Sequence, residues 1–173
     1  MPKTQGISPD GINPSIAFGV PSIETHLAKQ FELQVENFFA QVLHIDTISP
    51  AEPFDFLFTY QEKKYAVEVK YYRTKLAQMH LIMRAAEMLQ EHVHDLNYQP
   101  ILVVASLIHQ QQRDFIKEKF PTLILIDREN LLNTAYHHHL VDNLTPFLGV
   151  TEWDIHVNTK DLLTLLREAN DVK

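Results

Sequence analysis

The sequence predicts an α/β fold, a mixed β-sheet flanked by helices, and three observations predict it. Ile23, Leu27, Phe31, Val35, Phe38 and Val42 recur at helical spacing. "FDFLFTY" and "YAVEVKYY" are two apolar runs joined by the polar "QEKK", which reads as a hairpin. Beyond them, "QPILVVAS" and "TLILID" have the continuous apolar character of strands buried on both faces, separated by the amphipathic "QQQRDFIKEKF". Strand, helix, strand in that order implies a right-handed parallel crossover.

Residues 1–22, rich in Gly, Pro and Ser, read as an N-terminal arm. Ser22 offers an N-cap for a helix from Ile23 to Val42. "HIDTIS" fits a short strand before the breaks at Pro50 and Pro53. Strands at 54–60 and 65–72 follow, then a helix from Thr74 to His94 with Leu76, Leu81, Ala85, Met88 and Leu89 inward. Asp127 can cap a short helix through Tyr136. The core is thus α-β-β-β-α-β-α-β over residues 23–136. Residues 137–173 form a C-terminal extension, a loop and then a helix from Thr159, packed on the core or at an oligomer interface.

Composition narrows the function. With 173 residues, 45% hydrophobic and 21% charged, the chain suits one globular domain. It has no cysteine, which excludes disulfides, thiolate metal sites and cysteine nucleophiles. "MPKTQGISPDGINPSIAFGVP" lacks the basic and apolar regions of a signal peptide, and "ILVVASLI" is too short to span a bilayer. A cytoplasmic protein is expected. The net charge of -7 disfavours nucleic acid as a partner. Between Gln61 and Ala86, however, six basic residues (Lys63, Lys64, Lys70, Arg73, Lys75, Arg84) stand against Glu62 and Glu68.

That basic stretch holds charges in runs that otherwise read as buried strands: Asp55, Glu68 and Lys70. Strand side chains alternate, so Asp55 shares a face with Leu57 and Thr59, leaving Phe54, Phe56 and Phe58 on the other. Glu68 and Lys70 likewise share a face with Ala66 and Tyr72. A turn at Glu62-Lys63 sets Asp55 opposite Lys70 and Leu57 opposite Glu68. The two acids are then diagonal neighbours, about 7–8 Å apart. Two such carboxylates can hold Mg²⁺, whose bound water becomes acidic and whose charge offsets that of a reacting phosphate. Lys70 could orient or deprotonate that water, or neutralise charge on the phosphate.

The pattern Pro53-Phe54-Asp55, hairpin, Glu68-Val69-Lys70 resembles the signature of the PD-(D/E)xK nuclease superfamily, with its restriction endonuclease-like fold. It is most similar to the Mrr-type branch, in which a helical Phe-Glu pair, here Phe31-Glu32, precedes the motif. The chain differs in having Phe54 between the proline and the aspartate, and in lacking glycines before it. The resemblance spans residues 23–136. It implies a metal held by Asp55, Glu68 and the Val69 carbonyl, Lys70 as catalytic lysine and Glu32 as a supplementary acid. It further implies Mg²⁺ or Mn²⁺ as cofactor, DNA or else RNA as substrate, a role in antiviral defence, and work as a homodimer or a subunit of a larger complex.

Alternatives stand beside each residue. The trio also fits a structural Asp55–Lys70 pair with Glu68 solvated at a sheet edge, and the whole chain fits a non-catalytic binding module. Glu36 competes with Glu32, one turn away on the same helix face. Arg73 and Lys75, with His80 and Arg84, are candidates for phosphate contacts or plain surface charges. Glu62-Lys63-Lys64 repeats the E-x-K pattern inside the turn, where it carries no chemistry. The adjacent His137, His138 and His139 cannot converge on one ion, and His92 and His94 point apart on a helix. Trp153 and the last helix suit packing or an oligomer surface. The 4 glycines form no phosphate-cradling loop.

Overall fold

The computed structural model describes residues 23–149 and 159–171, so the arm 1–22 and Trp153 lie outside the described residues. The described chain runs α1 (Ile23–Leu43), β1 (Thr47–Ile48), β2 (Phe56–Tyr60), β3 (Lys63–Lys70), α2 (Met79–Val93), β4 (Gln99–Val104), α3 (Gln110–Lys119) and β5 (Ile124–Ile126). Helices α4 (Arg128–His137), α5 (Val141–Leu148) and α6 (Leu162–Asp171) complete it. The five strands lie in the order β1-β2-β3-β4-β5, antiparallel from β1 to β3 and parallel from β3 to β5. This is a mixed α/β sheet.

Side-chain alternation divides the core into two layers. On one face, Phe56, Phe58, Tyr65, Val67 and Val69 pack with Ile101, Val103, Ile124 and Ile126 against α1, α4, α5 and α6. On the other, Ala66, Leu102, Val104 and Leu125 meet α2 and α3 through Ile82, Ala86, Leu89 and Ile116. Each such fully buried large apolar side chain stabilises the fold by about 1.5–3 kcal/mol. Among the described residues, no helix is long and apolar enough to cross a membrane.

Four details differ from the sequence reading. The hairpin turn is Gln61-Glu62, both at positive φ (50° and 68°), and Tyr60 pairs with Lys63. The register is therefore shifted by two: Leu57 faces Ala66, and Asp55, just before β2, lies level with Glu68 rather than Lys70. A shift of two preserves the face of every side chain. Phe54 precedes a bend at Asp55 and packs in the α2 layer, apart from Phe56 and Phe58.

Helix α2 starts at Met79, because the segment before it is tied to the β4–α3 connector. Leu107 N–H donates to the Lys75 carbonyl (2.7 Å), and Ala77 N–H donates to that of Leu107 (2.8 Å). The buried stripe of α2 is consequently Ile82, Ala85, Ala86, Leu89 and Val93, while Leu76 and Met88 are each 48% exposed. Lastly, α5 occupies part of the expected C-terminal loop. Leu144 and Leu148 bury one turn apart despite Pro146, and Gly149, at φ 64°, ends the helix.

Candidate functional site

The site is built where β2 has not yet begun and β3 runs on past it. Asp55 N–H donates to the Val67 carbonyl (3.0 Å), and Val69 N–H donates to Asp55 Oδ2 (2.7 Å). The carboxylate thus replaces the strand that β3 has lost. The N–H and C=O of one strand residue point to the same side, so the Val69 carbonyl opens beside Asp55. Glu68 and Lys70 project from the same face of β3, and Lys70 Nζ lies 3.0 Å from Glu68 Oε2.

Helix α1 supplies the next acid. Phe31 is fully buried, its ring 5.4 Å from Tyr71 and 5.6 Å from Phe147, which seats α1 against the end of β3. Glu32 is thereby brought near enough to Asp55 for the two carboxyls to influence each other, with Lys29 at 3.5 Å on its outer side. Glu36 is separated from this group. It is buried and accepts hydrogen bonds from Thr47 Oγ1 (2.6 Å) and Ser49 Oγ (2.8 Å), pinning β1 to α1.

Crowding of acids sets the electrostatics. Burial raises the Asp55 carboxyl above the usual aspartate value; the Glu68 charge adds to this, while the Val69 N–H and Lys70 oppose it. Glu32 is raised by burial and then by the charge of Asp55, with Lys29 opposing. Burial pushes Lys70 down, but its hydrogen bond to Glu68 and the charge of Glu68 outweigh that, and the ammonium stands above its ordinary value.

Among the described residues, no group of three or more His, Asp or Glu is assembled in metal-ligand geometry. The donor set nevertheless fits a hard cation: partly buried carboxylates without enough positive charge, beside a carbonyl on the same edge. Arg73 and Lys75 follow at the exposed end of β3, and Arg84 is exposed on α2. Their segment is fixed by Ser106, which sequence reasoning missed. Ser106 is fully buried, and its Oγ donates to the Thr74 carbonyl (2.6 Å). A lone Ser at the end of an apolar run was its only signal.

Among the described residues, the histidines form no metal-holding group. His92 packs edge-on against Phe54, and His137 Nδ1 lies 2.8 Å from the Asn133 carbonyl of its own helix. No protein-family model, curated protein or solved structure matches the chain.

Proposed function

We propose that this chain hydrolyses phosphodiester bonds, with DNA as substrate and RNA the second choice, using Mg²⁺ or Mn²⁺. The observation that carries the proposal is the meeting of Asp55, Glu68 and Lys70 on one face of the hairpin end, with Glu32 turned to Asp55. Asp55, Glu68 and the Val69 carbonyl would hold the cation, and Glu32 would supplement them. A cation bound there makes its water a nucleophile at neutral pH and offsets negative charge on the phosphate.

Glu68 holds the Lys70 ammonium above its ordinary value, which suits Lys70 to stabilising charge on the phosphate rather than to removing a proton. Arg73 and Lys75 would hold flanking phosphates, their segment kept in place by Ser106. The restriction endonuclease-like topology, a defence role and assembly as a homodimer or subunit belong to the same proposal. With a net charge of -7, a second chain would help to grip a polyanion.

The Glu68–Lys70 pair and the Val69–Asp55 bond favour a second reading, a nuclease-fold subunit that binds partners without catalysis, since both acids already have partners. The two readings separate on plasmid, single-stranded DNA and RNA incubated with Mg²⁺ or Mn²⁺. The first expects cleavage that EDTA and Asp55→Asn each abolish. Cleavage that survives either treatment would overturn the metal mechanism, and no cleavage of any substrate would favour the second reading.

A further inference from the structure

We propose that single-stranded nucleic acid runs from the proposed hydrolytic site along an exposed strip between the end of β3 and α3, with one base stacked on Phe115. The proposal rests on the hydrolase reading for where the strand leads, but other residues build the strip. From Val69 to Ala86 the chain carries no acid, while Lys70, Arg73, Lys75 and Arg84 are basic. In a chain of net charge -7, such a stretch is the part that complements a polyanion.

Hydrogen bonds lay this stretch against α3. Ser106 Oγ holds the Thr74 carbonyl, Leu107 N–H holds that of Lys75, and Gln112 Nε2 donates to that of Ala77 (3.0 Å). Gln112, Phe115 and Lys119 share one flank of α3, being three and four residues apart. Phe115 therefore stands on the flank whose Gln112 reaches Ala77. Phe115 is 45% exposed and Leu76 is 48% exposed, so two large apolar side chains lie on one strip rather than scattered over the surface. Arg73 and Lys75 are exposed beside them.

Lys119 Nζ lies over the Phe115 ring, 5.3 Å from its centroid. A cation on one ring face leaves the other to a base, and adds positive charge where the next phosphate would run. The other cations of α3 are engaged on a different flank. Arg113 donates to the Leu125 carbonyl (2.8 Å) and Asn130 Oδ1 (2.9 Å), and Lys117 to the carbonyls of Pro121 and Leu123. The acids of α3, Asp114 and Glu118, are one turn apart on a separate face, and Asp114 accepts from Gln110 (2.7 Å). A duplex keeps its bases within the stack, whereas a single strand of DNA or RNA can present a base face to Phe115.

The test is fluorescence anisotropy of the full chain with labelled oligothymidylate and oligouridylate of about twelve nucleotides, in EDTA so that no cleavage intervenes. Saturable binding that weakens as salt rises is expected. Phe115→Leu should weaken it by about tenfold and Phe115→Tyr should largely retain it, since only the second keeps a stacking face. Lys119→Gln should weaken it and lower the slope of log affinity against log salt by about 0.7. Absence of binding, a Phe115→Leu variant that binds like wild type, or an equal loss on duplex DNA would each overturn the strip. Binding that depends on Phe115, with no cleavage once Mg²⁺ is restored, supports the strip and overturns the hydrolase reading. Cleavage of single strands with a KM that Phe115→Leu leaves unchanged does the reverse.

Discussion

Replacing Asp55 by Asn should make the protein more stable at neutral pH while abolishing cleavage. The folded surroundings raise the Asp55 carboxyl, so on balance they disfavour its charge. Asn keeps an oxygen that can accept the Val69 N–H bond and removes the repulsion from Glu68. In a partly hydrated site that relief is worth about 0.5–1 kcal/mol, or a melting temperature about 2 °C higher for a chain of this size. Asp55→Ala should behave differently. It strands the Val69 N–H, at a cost of about 1–3 kcal/mol, and should melt several degrees below wild type.

The sign with pH follows from the raised carboxyl. Its protonated form supplies stability that is complete below the unfolded value and lost as pH rises through the folded one. Wild type and Asp55→Asn should therefore coincide near pH 4 and separate towards pH 7. Differential scanning fluorimetry across that range, with and without Mg²⁺, measures all of this. If the proposed site holds the cation, Mg²⁺ at about a hundredfold over its dissociation constant should add about 2.7 kcal/mol to wild type and little to the variant. If Asp55→Asn melts as low as Asp55→Ala, or Mg²⁺ shifts both variants as much as wild type, the electrostatic account of the site fails.

Lys70→Met should lower the cleavage rate by about a hundredfold or more. Because Glu68 holds the Lys70 ammonium above its ordinary value, the wild-type rate should show no Lys70 titration between pH 7 and 9. Ser106→Ala should cost about 1–2 kcal/mol in urea denaturation and raise KM for DNA more than it lowers kcat, through the loosened Thr74–Lys75 segment. Asp127→Ala removes the cap of α4 and its bond to Ile108, and should lower stability by about 2–4 kcal/mol in the same assay. Asn-Gly in place of Gln61-Glu62 suits a turn with both residues at positive φ and should add about 0.5–1 kcal/mol, read as a higher urea midpoint.

Periodicity carried the order of helices and strands because each element buries one patterned face, and Asp127 was legible as a cap from its place after "TLILI". The hairpin register was not legible, since "QEKK" offers no Gly or Asn to mark which pair turns. The face shared by Asp55, Glu68 and Lys70 survived because the error was even. The start of α2 depends on pairing between Lys75–Ala77 and Leu107, far apart in sequence, and no local pattern encodes it. Glu32 and Glu36 look alike in the sequence; Tyr71 beside Phe31, and the hydroxyls of Thr47 and Ser49, tell them apart. The bonds of Arg113 and Lys117 were not legible in "QQQRDFIKEKF", because their acceptors lie on and around β5, which follows in sequence.

Those same two side chains govern how the sheet can grow. The carbonyls of Leu123 and Leu125, which an incoming strand at the β5 border would need, are held by Lys117 and Arg113. A newcomer must first displace two charged donors, each bond worth about 1.5–3 kcal/mol. Fibrous stacking requires two free borders on every copy, so that strands can be added without end. A sheet sealed along β5 terminates such a chain reaction: pairing through the β1 border would stop at two copies.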